Sequence, residues 1–493
     1  MSTVELMLYS VAIPFVGAVL IMLLGHARIA GGHAREWLSM ITAIVLLFTI
    51  LSLLEQFMQG TAIDYRLAEP LPGIWLQFSI EPLGMMFASI ASLLWVVNTL
   101  YSIGYMRGNN EKNQTRFYVC FAIAIGSTLG LAFSANLFTM FVFYEILTIS
   151  TYPLVAHKGN KDAKKGARTY LAILMGSSIG FFLLAIIWTW SLTGTLDFRA
   201  GGILSDYIGT PVIGILLFLF IYGIGKAALM PLHKWLPAAM VAPTPVSALL
   251  HAVAVVKAGA FSVVKIILYI FGPEVLTDSL AADLIMYLAG MSIVLASTIA
   301  LFQDNLKRRL AYSTISQLSY VTIAAILVAP FSIMAAALHI AAHAFGKITL
   351  FFAAGSIYTA THKTEISQLK GIGRQMPWTM GAFAIGALSM IGVPPAAGFL
   401  SKWYLLMGSF QAQEWFVFGV IIISTMLNAA YFLPILYTAF IEKADEQPEH
   451  VKIKEAPLPI VIALTTTAIL TLLLFFIPDL ALQLANDLPG VQS

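Results

Sequence analysis

Fourteen apolar stretches of membrane-spanning length follow one another along the 493 residues, and charge is nearly absent from them. With about 20 apolar residues needed per span, they cover residues 4–24, 36–58, 82–105, 116–133, 136–156, 167–191, 211–233, 244–271, 280–302, 311–329, 331–357, 378–409, 415–441 and 457–478. Lys and Arg test that count, because in a polytopic chain they gather on one membrane face. Of the 27, twenty fall in alternate loops, from Arg28 and Arg35 in the first to Lys443, Lys452 and Lys454 in the last. The opposite loops hold only Arg66 and Arg199, and the other five, Lys226, Lys257, Lys265, Lys347 and Lys402, lie inside spans. A miscounted helix would scramble every later loop. The split therefore supports an all-α polytopic membrane protein of about fourteen transmembrane helices, with both termini outside.

Composition agrees: 10% of residues are charged, against roughly 25% in a soluble domain. No hydrophilic segment is long enough for a separate soluble domain. The one cysteine, Cys120, lies in an apolar helix, which excludes disulfides, iron–sulfur clusters and cysteine-based zinc sites. No basic residue precedes the first helix and no small-residue cleavage site follows it, so it is expected to be a retained span. No strands, glycine-rich phosphate loop or dinucleotide fingerprint are expected, nor a nucleophile–base arrangement outside the membrane. Hence no cofactor, no redox or hydrolytic chemistry in this chain and no nucleic-acid partner are expected. The acidic patch Glu442–Glu449 reads as a solvated loop.

Two helices are interrupted, the seventh in Gly223–Trp235 around Pro231 and the twelfth in Gly392–Trp403 around Pro394 and Pro395. Proline removes a backbone donor and clashes with the preceding turn, and in a membrane the freed carbonyls need protein or water. Broken helices at matching places in two halves point to a translocation site. The halves do match, at an offset of 168 residues: Tyr144, Thr148, Thr151 and Tyr152 align with Tyr312, Ser316, Ser319 and Tyr320, and Lys234-Trp235 with Lys402-Trp403. Five helices separate the copies, and an odd number inverts the second. An inverted repeat of two five-helix bundles, helices 4–8 and 9–13, follows, within a single membrane domain divided at 1–110, 111–275, 276–445 and 446–493.

An ionisable group in hydrocarbon costs a few kcal/mol and usually faces a partner or a water-filled path. Glu145 stands alone near the middle of the fifth span, opposite Ser313 of the second half. Paired with Lys226, both could stay charged; separated, the lysine gives up its proton, which makes a switch. The alternative is a static ion pair, and a helix break five residues after Lys226 favours the mobile reading. Lys257 and His251 are six residues apart, so on a regular helix they are turned by about 240° and do not share a face. They would mark different points on a path or contact different helices; His251 could equally be a structural histidine. His339, His343 and Lys347 share one face of helix eleven at i, i+4 and i+8. No third ligand accompanies the two histidines, so proton hopping suits them better than zinc. Lys402 falls in the outer half of the broken twelfth helix, where it could govern exit or reach the headgroups. Lys265, near the outer end of its span, is expected to snorkel.

The stretches FYEILTISTYPLVA around Glu145, GKAALMPLHKWLPAAMVAPTPVSALLHAVAVVKAG (225–259), HAFGKITLFFAAG (343–355) and GVPPAAGFLSKW (392–403) resemble the antiporter-like membrane subunits shared by respiratory complex I and Mrp-type multisubunit cation/proton antiporters. The resemblance runs from about residue 80 to 440 and looks strongest to the D-type subunit of Mrp antiporters. A lysine stands at 402, where the M-type subunit of complex I would carry glutamate, though the N-type also has lysine there. The resemblance implies Glu145 as the acid partner of Lys226, Lys257 as the central relay, the helix-eleven residues as its continuation, and Lys402 as the terminal gate. It implies a prokaryotic inner membrane and partner subunits like the A, B, C, E, F and G subunits of Mrp complexes. The implied reaction is exchange of a monovalent cation, Na+ foremost, for H+. The rival readings are a proton-pumping M- or N-like subunit of complex I or a membrane-bound hydrogenase, and a stand-alone solute carrier.

Overall fold

The computed structural model describes residues 2–25, 33–61, 63–277, 279–442 and 453–491. Arg28, Lys443, Lys452 and all of the acidic patch beyond Glu442 lie outside the described residues. Helices dominate because a helix satisfies its own backbone hydrogen bonds where no water is available. They are α1 (Thr3–Leu24), α2 (Ala34–Met58), α3 (Pro82–Gly108), α4 (Gln114–Ala132), α5 (Leu137–Val155), α6 (Lys161–Thr193), α7 (Pro211–Gly223), α8 (Thr244–Phe271), α9 (Leu280–Leu301), α10 (Leu306–Ile326) and α11 (Pro330–Thr361). Then come α12, broken into Pro377–Ile391 and Ala397–Gln411, α13 (Trp415–Phe440), α14 (Leu458–Phe476) and the short α15 (Asp479–Asn486). The first fourteen correspond one to one with the expected spans. The chain is a multi-pass membrane protein.

Eleven of these helices are long and apolar enough to cross a bilayer. The rest fall short for reasons that bear on function. α7 and the first half of α12 are cut short by the expected breaks. α10 is polar along its length, with Ser313, Thr314, Ser316, Gln317, Ser319, Tyr320 and Thr322 all buried. At the other extreme, the apolar windows of α8 and α11 are wholly enclosed by protein, whereas α1, α2 and α14 keep wide apolar flanks outward. The two enclosed helices carry six of the buried basic groups: His251, Lys257 and Lys265 on α8, and His339, His343 and Lys347 on α11.

The breaks recur at the fourth helix of each expected five-helix unit, α7 in α4–α8 and α12 in α9–α13. Each contains a cis X–Pro bond, Met230–Pro231 and Pro394–Pro395. In the first, however, the helix stops at Gly223, before Lys226 and not after it. Lys226 thus lies in the unwound stretch itself, on a single 3-10 turn, Gly225–Ala227. The unwound stretch packs closely on α8: a Cβ at Gly259 would lie 2.4 Å from Ala227 N. The freed backbone groups find side chains, with Trp235 Nε1 donating to the Gly225 carbonyl (2.9 Å) and the Lys226 N–H to Tyr144 Oη (3.1 Å).

One expectation fails outright. Two strands, β1 (Asp64–Leu71) and β2 (Ile74–Ser79), form an antiparallel hairpin between α2 and α3. Pro72-Gly73 makes the turn, with Gly73 at φ +76°, the left-handed value that glycine supplies at the third place of a proline turn. Outside the spans apolar runs are not forced into helix, and this loop pairs its backbone as a ribbon. β2 ties the hairpin to the bundle: Gln77 N donates to Thr139 Oγ1 (2.9 Å) and Ser79 N to the Phe133 carbonyl (2.8 Å).

Candidate functional site

All five lysines expected inside spans are enclosed; the most accessible, Lys402, is 4% exposed. Four of them, with the histidines, trace a polar line through α5, the α7 break, α8, α10, α11 and α12.

At one end Lys226 Nζ donates to Thr148 Oγ1 (2.6 Å) and to the Tyr144 carbonyl (2.9 Å), and lies 3.0 Å from the centre of the Tyr144 ring. It does not contact Glu145. Both Glu145 oxygens are buried and have no hydrogen-bond partner among the described residues. Tyr144 and Thr148 occupy the inward face of α5, whereas Glu145, one residue further round, is partly exposed along its stem beside Ile149 (58% exposed) while its carboxylate oxygens stay buried. The expected acid–base contact is therefore replaced by a neighbourhood: the amine is held by residues three along and one before the acid.

In the middle, Lys257 Nζ lies 2.7 Å from His343 Nδ1, joining α8 to α11. A lysine ammonium has no lone pair, so when Lys257 is charged His343 accepts at Nδ1; when Lys257 is neutral the same atoms can share the proton the other way. His251 also faces α11, its ring 4.6 Å from that of Phe351, with Nδ1 3.2 Å from Thr314 Oγ1 of α10. The two hydrogen-bond different helices, His251 to α10 and Lys257 to α11, but the expectation that they share no common direction does not hold, since both reach α11. It assumed a regular helix, but residues Leu249–Val253 form a π-turn, and Ala254 (φ −117°, ψ −75°) breaks the phase before Lys257. π-turns of this kind recur at functional sites.

His339 and His343 share a face of α11 as expected, ring centres 6.1 Å apart. Nδ1 of His339 is 2.8 Å from Ser401 Oγ. With that hydroxyl donating to the Gly398 carbonyl (3.1 Å), the imidazole would donate from Nδ1; with the hydroxyl turned to the ring, Nδ1 would accept. Among the described residues no third His, Cys, Asp or Glu completes a metal site with them. Lys347 Nζ donates to Ser313 Oγ (2.8 Å), the residue aligned with Glu145 in the other half.

Lys402 neither snorkels nor points outward. Its amine folds back onto the end of the first half of α12, donating to the carbonyls of Met390 (3.1 Å) and Ile391 (2.8 Å). There it satisfies carbonyls that the Pro394–Pro395 break frees, and it adds a positive charge at a helix C-terminus. Lys265 likewise stays inside, 2.5 Å from Glu81 Oε1 and donating to the Ser134 carbonyl (2.6 Å). Reading the sequence for charge alone misses the hydroxyl partners Thr148, Ser313, Thr314 and Ser401, and the acid Glu81. The signal is present as polar residues inside apolar spans.

Residues 134–428, more than half the chain, match a family profile described as NADH:quinone oxidoreductase/Mrp antiporter, TM. NADH-quinone oxidoreductase subunit N of Desulforudis audaxviator is 31% identical over 446 residues, 89% of this chain and 87% of that one. The chain belongs to this family. As an antiporter-like protein it is also 33% identical, over 398 residues, to the A/B chain of a probable K(+)/H(+) antiporter of Rhizobium meliloti. That match covers 80% of this chain but 38% of the longer relative. Two solved structures show the same fold, each at a TM-score of 0.86 over 99% of this chain and 97% of the other. One is an archaeal membrane-bound sulfane sulfur reductase complex (23% identical), the other the Mrp complex from Dietzia sp. DQ12-45-1b (19% identical). The relatives of this antiporter-like protein thus come from both antiporters and respiratory complexes.

Proposed function

We propose that this chain carries protons across a prokaryotic inner membrane as one subunit of a multisubunit monovalent cation/proton antiporter of the Mrp type. The observation that carries the reading is the Lys257–His343 contact between the two fully enclosed helices, because it puts two groups able to exchange a proton at the centre of the fold. On one side of it, Lys226 and Glu145 form the switch: the amine leaves Thr148 and the Tyr144 carbonyl to meet the acid, and returns when the acid is neutralised. On the other, His343, His339 and Lys347 pass the charge toward Lys402, which gates the far end at the α12 break. Buried side-chain atoms without partners, at Glu145, His251 Nε2, His343 Nε2, Asn98 and Gln317, support a path that admits water, since buried polar groups need hydrogen bonds. The partners would be membrane subunits like Mrp A, B, C, E, F and G, and the exchanged ion Na+, with both termini outside.

The test is cation-dependent dequenching of a pH-sensitive dye in inverted vesicles lacking other antiporters, with the whole complex present or with this chain deleted. Na+-dependent proton movement that vanishes with the deletion supports the proposal. A second reading, an N-like proton-pumping subunit of a redox-driven complex, is favoured by the 31% identity spread over nearly all of a subunit N. It predicts proton movement driven by an electron donor and indifferent to Na+.

A further inference from the structure

Beyond the residues that charge alone picks out, an unbroken series of short contacts joins Lys347 to Lys402 across four helices. Lys347 Nζ, on α11, lies 2.8 Å from Ser313 Oγ of α10. Ser313 Oγ is 2.9 Å from Tyr431 Oη of α13, which is in turn 2.5 Å from Asn428 Oδ1, one turn back on the same helix. Asn428 Nδ2 donates to the Met390 carbonyl (3.1 Å), and that carbonyl also accepts from Lys402 Nζ (3.1 Å). Tyr431 and Asn428 are both 0% exposed, so these contacts do not compete with bulk water.

We propose, resting on the proton-carrying function argued above, that Tyr431 and Asn428 form a hydroxyl–amide link through which Lys402 senses whether Lys347 holds its proton. The direction of the bonds supplies the mechanism. Asn428 must turn its nitrogen to the Met390 carbonyl, which fixes Oδ1, an acceptor only, toward Tyr431. The hydroxyl of Tyr431 is placed to donate to either Ser313 Oγ or Asn428 Oδ1, and its single hydrogen serves Asn428 when Ser313 turns its own hydrogen to Oη. Ser313 can offer its hydrogen because a charged Lys347 donates to it. When Lys347 gives up its proton, the amine gains a lone pair and Ser313 can turn to it. Tyr431 then loses a donor and can swing its hydrogen to Ser313, releasing Asn428 Oδ1. The amide that shares the Met390 carbonyl with Lys402 thus changes its partners when Lys347 changes charge.

The hydroxyl is also not duplicated by the titratable groups around it. The other titratable groups around the link are Lys257, His251, His339 and His343 on α8 and α11, and Arg309 and Tyr320 on α10. None of them hydrogen-bonds the Tyr431 hydroxyl, and Arg309 reaches only the Tyr431 carbonyl (2.9 Å).

The experiment measures proton translocation by the whole complex in inverted vesicles across a range of pH, for Tyr431→Phe, Asn428→Leu and the double variant, with complex content checked. Phenylalanine keeps the ring and its packing, so a loss reports the hydroxyl. Each single variant should lower translocation about ten-fold, the scale of one buried hydrogen bond, and the pH profile should change shape. The double variant should be no worse than the poorer single, because one link is cut twice. A fall of equal proportion at every pH, additive losses, or wild-type rates in Tyr431→Phe would each overturn the link. Lys257→Ala serves as the control: if it is inactive while Tyr431→Phe is normal, the link alone fails. Should Lys257→Ala also be normal, the proton-carrying function itself falls.

Discussion

Lys257 Nζ meets His343 Nδ1 at 2.7 Å between two helices whose apolar windows are wholly enclosed by protein. Each group is the other's hydrogen-bond partner there, so a proton can pass directly between them. Lys257→Ala should therefore stop proton translocation, a loss of about 100-fold or more, as for removal of a positioned acid–base group. His343→Ala should lose activity to a similar degree. Dye-quench rates in vesicles with normal complex content measure both, and rates near wild type in either would remove the central relay.

Lys226 is held by Thr148 and the Tyr144 carbonyl, not by Glu145. If that arrangement is one position of a switch, Thr148→Val should disturb it without deleting a charge. We expect translocation to drop about ten-fold in Thr148→Val, one buried hydrogen bond's worth, and to be abolished in Glu145→Ala and Lys226→Ala while the complex still assembles. Near-normal exchange in either charge deletion would dismiss the switch.

The spans and their breaks are legible because hydropathy, proline position and the Lys/Arg alternation all reflect a bilayer that tolerates few exceptions. The one-residue geometry around the charges is not. Lys226 falls outside its helix, in a stretch whose close approach to α8 depends on Gly259, a contact between separate segments of the chain. The phase between His251 and Lys257 is lost in a π-turn that no periodicity announces. Lys265 looks like a span-end lysine free to reach the headgroups, yet its partner Glu81 precedes a different helix. The hairpin, in contrast, carries its signal openly in Pro72-Gly73 between apolar pairs. It escapes notice because a strand is unexpected beside so many spans.

His157, in the loop after α5, bears on acid stability. Burial pushes its imidazole down to about 4 from the usual 6.5, and the positive charges of Arg116 and Lys158 act the same way. Glu111, 3.8 Å away, is the facing acid, and burial holds its carboxyl above the usual range. The unfolded chain thus binds a proton below 6.5 that the folded chain refuses until about 4. Stability is unaffected above that window, falls as the pH drops through it by up to about 3 kcal/mol, and is level below. His157→Phe, whose ring can keep the edge contact with Phe117, should melt in detergent with a smaller difference between about pH 7.5 and about pH 5 than the wild type. An unchanged difference would mean the imidazole is not the group that titrates.

The Glu81–Lys265 pair ties together three segments: the residue before α3, the end of α8 and, through the Ser134 carbonyl, the turn between α4 and α5. Phe198 and Phe261 cover the ammonium, 4.5 and 5.4 Å from it to the ring centres. Removing one partner of such a pair leaves the other charge stranded, which costs about 3 kcal/mol or more, whereas removing both leaves no charge behind. Lys265→Met should therefore lower the melting temperature of the complex clearly, and adding Glu81→Gln should restore much of the loss. Dye-quench rates at a temperature where both variants stay folded should differ little from wild type, because the pair lies off the line from Lys226 to Lys402. If the double variant melts no higher than Lys265→Met, the ammonium is needed for the Ser134 carbonyl and not for Glu81. If translocation is lost while melting is unchanged, the pair conducts and is no latch.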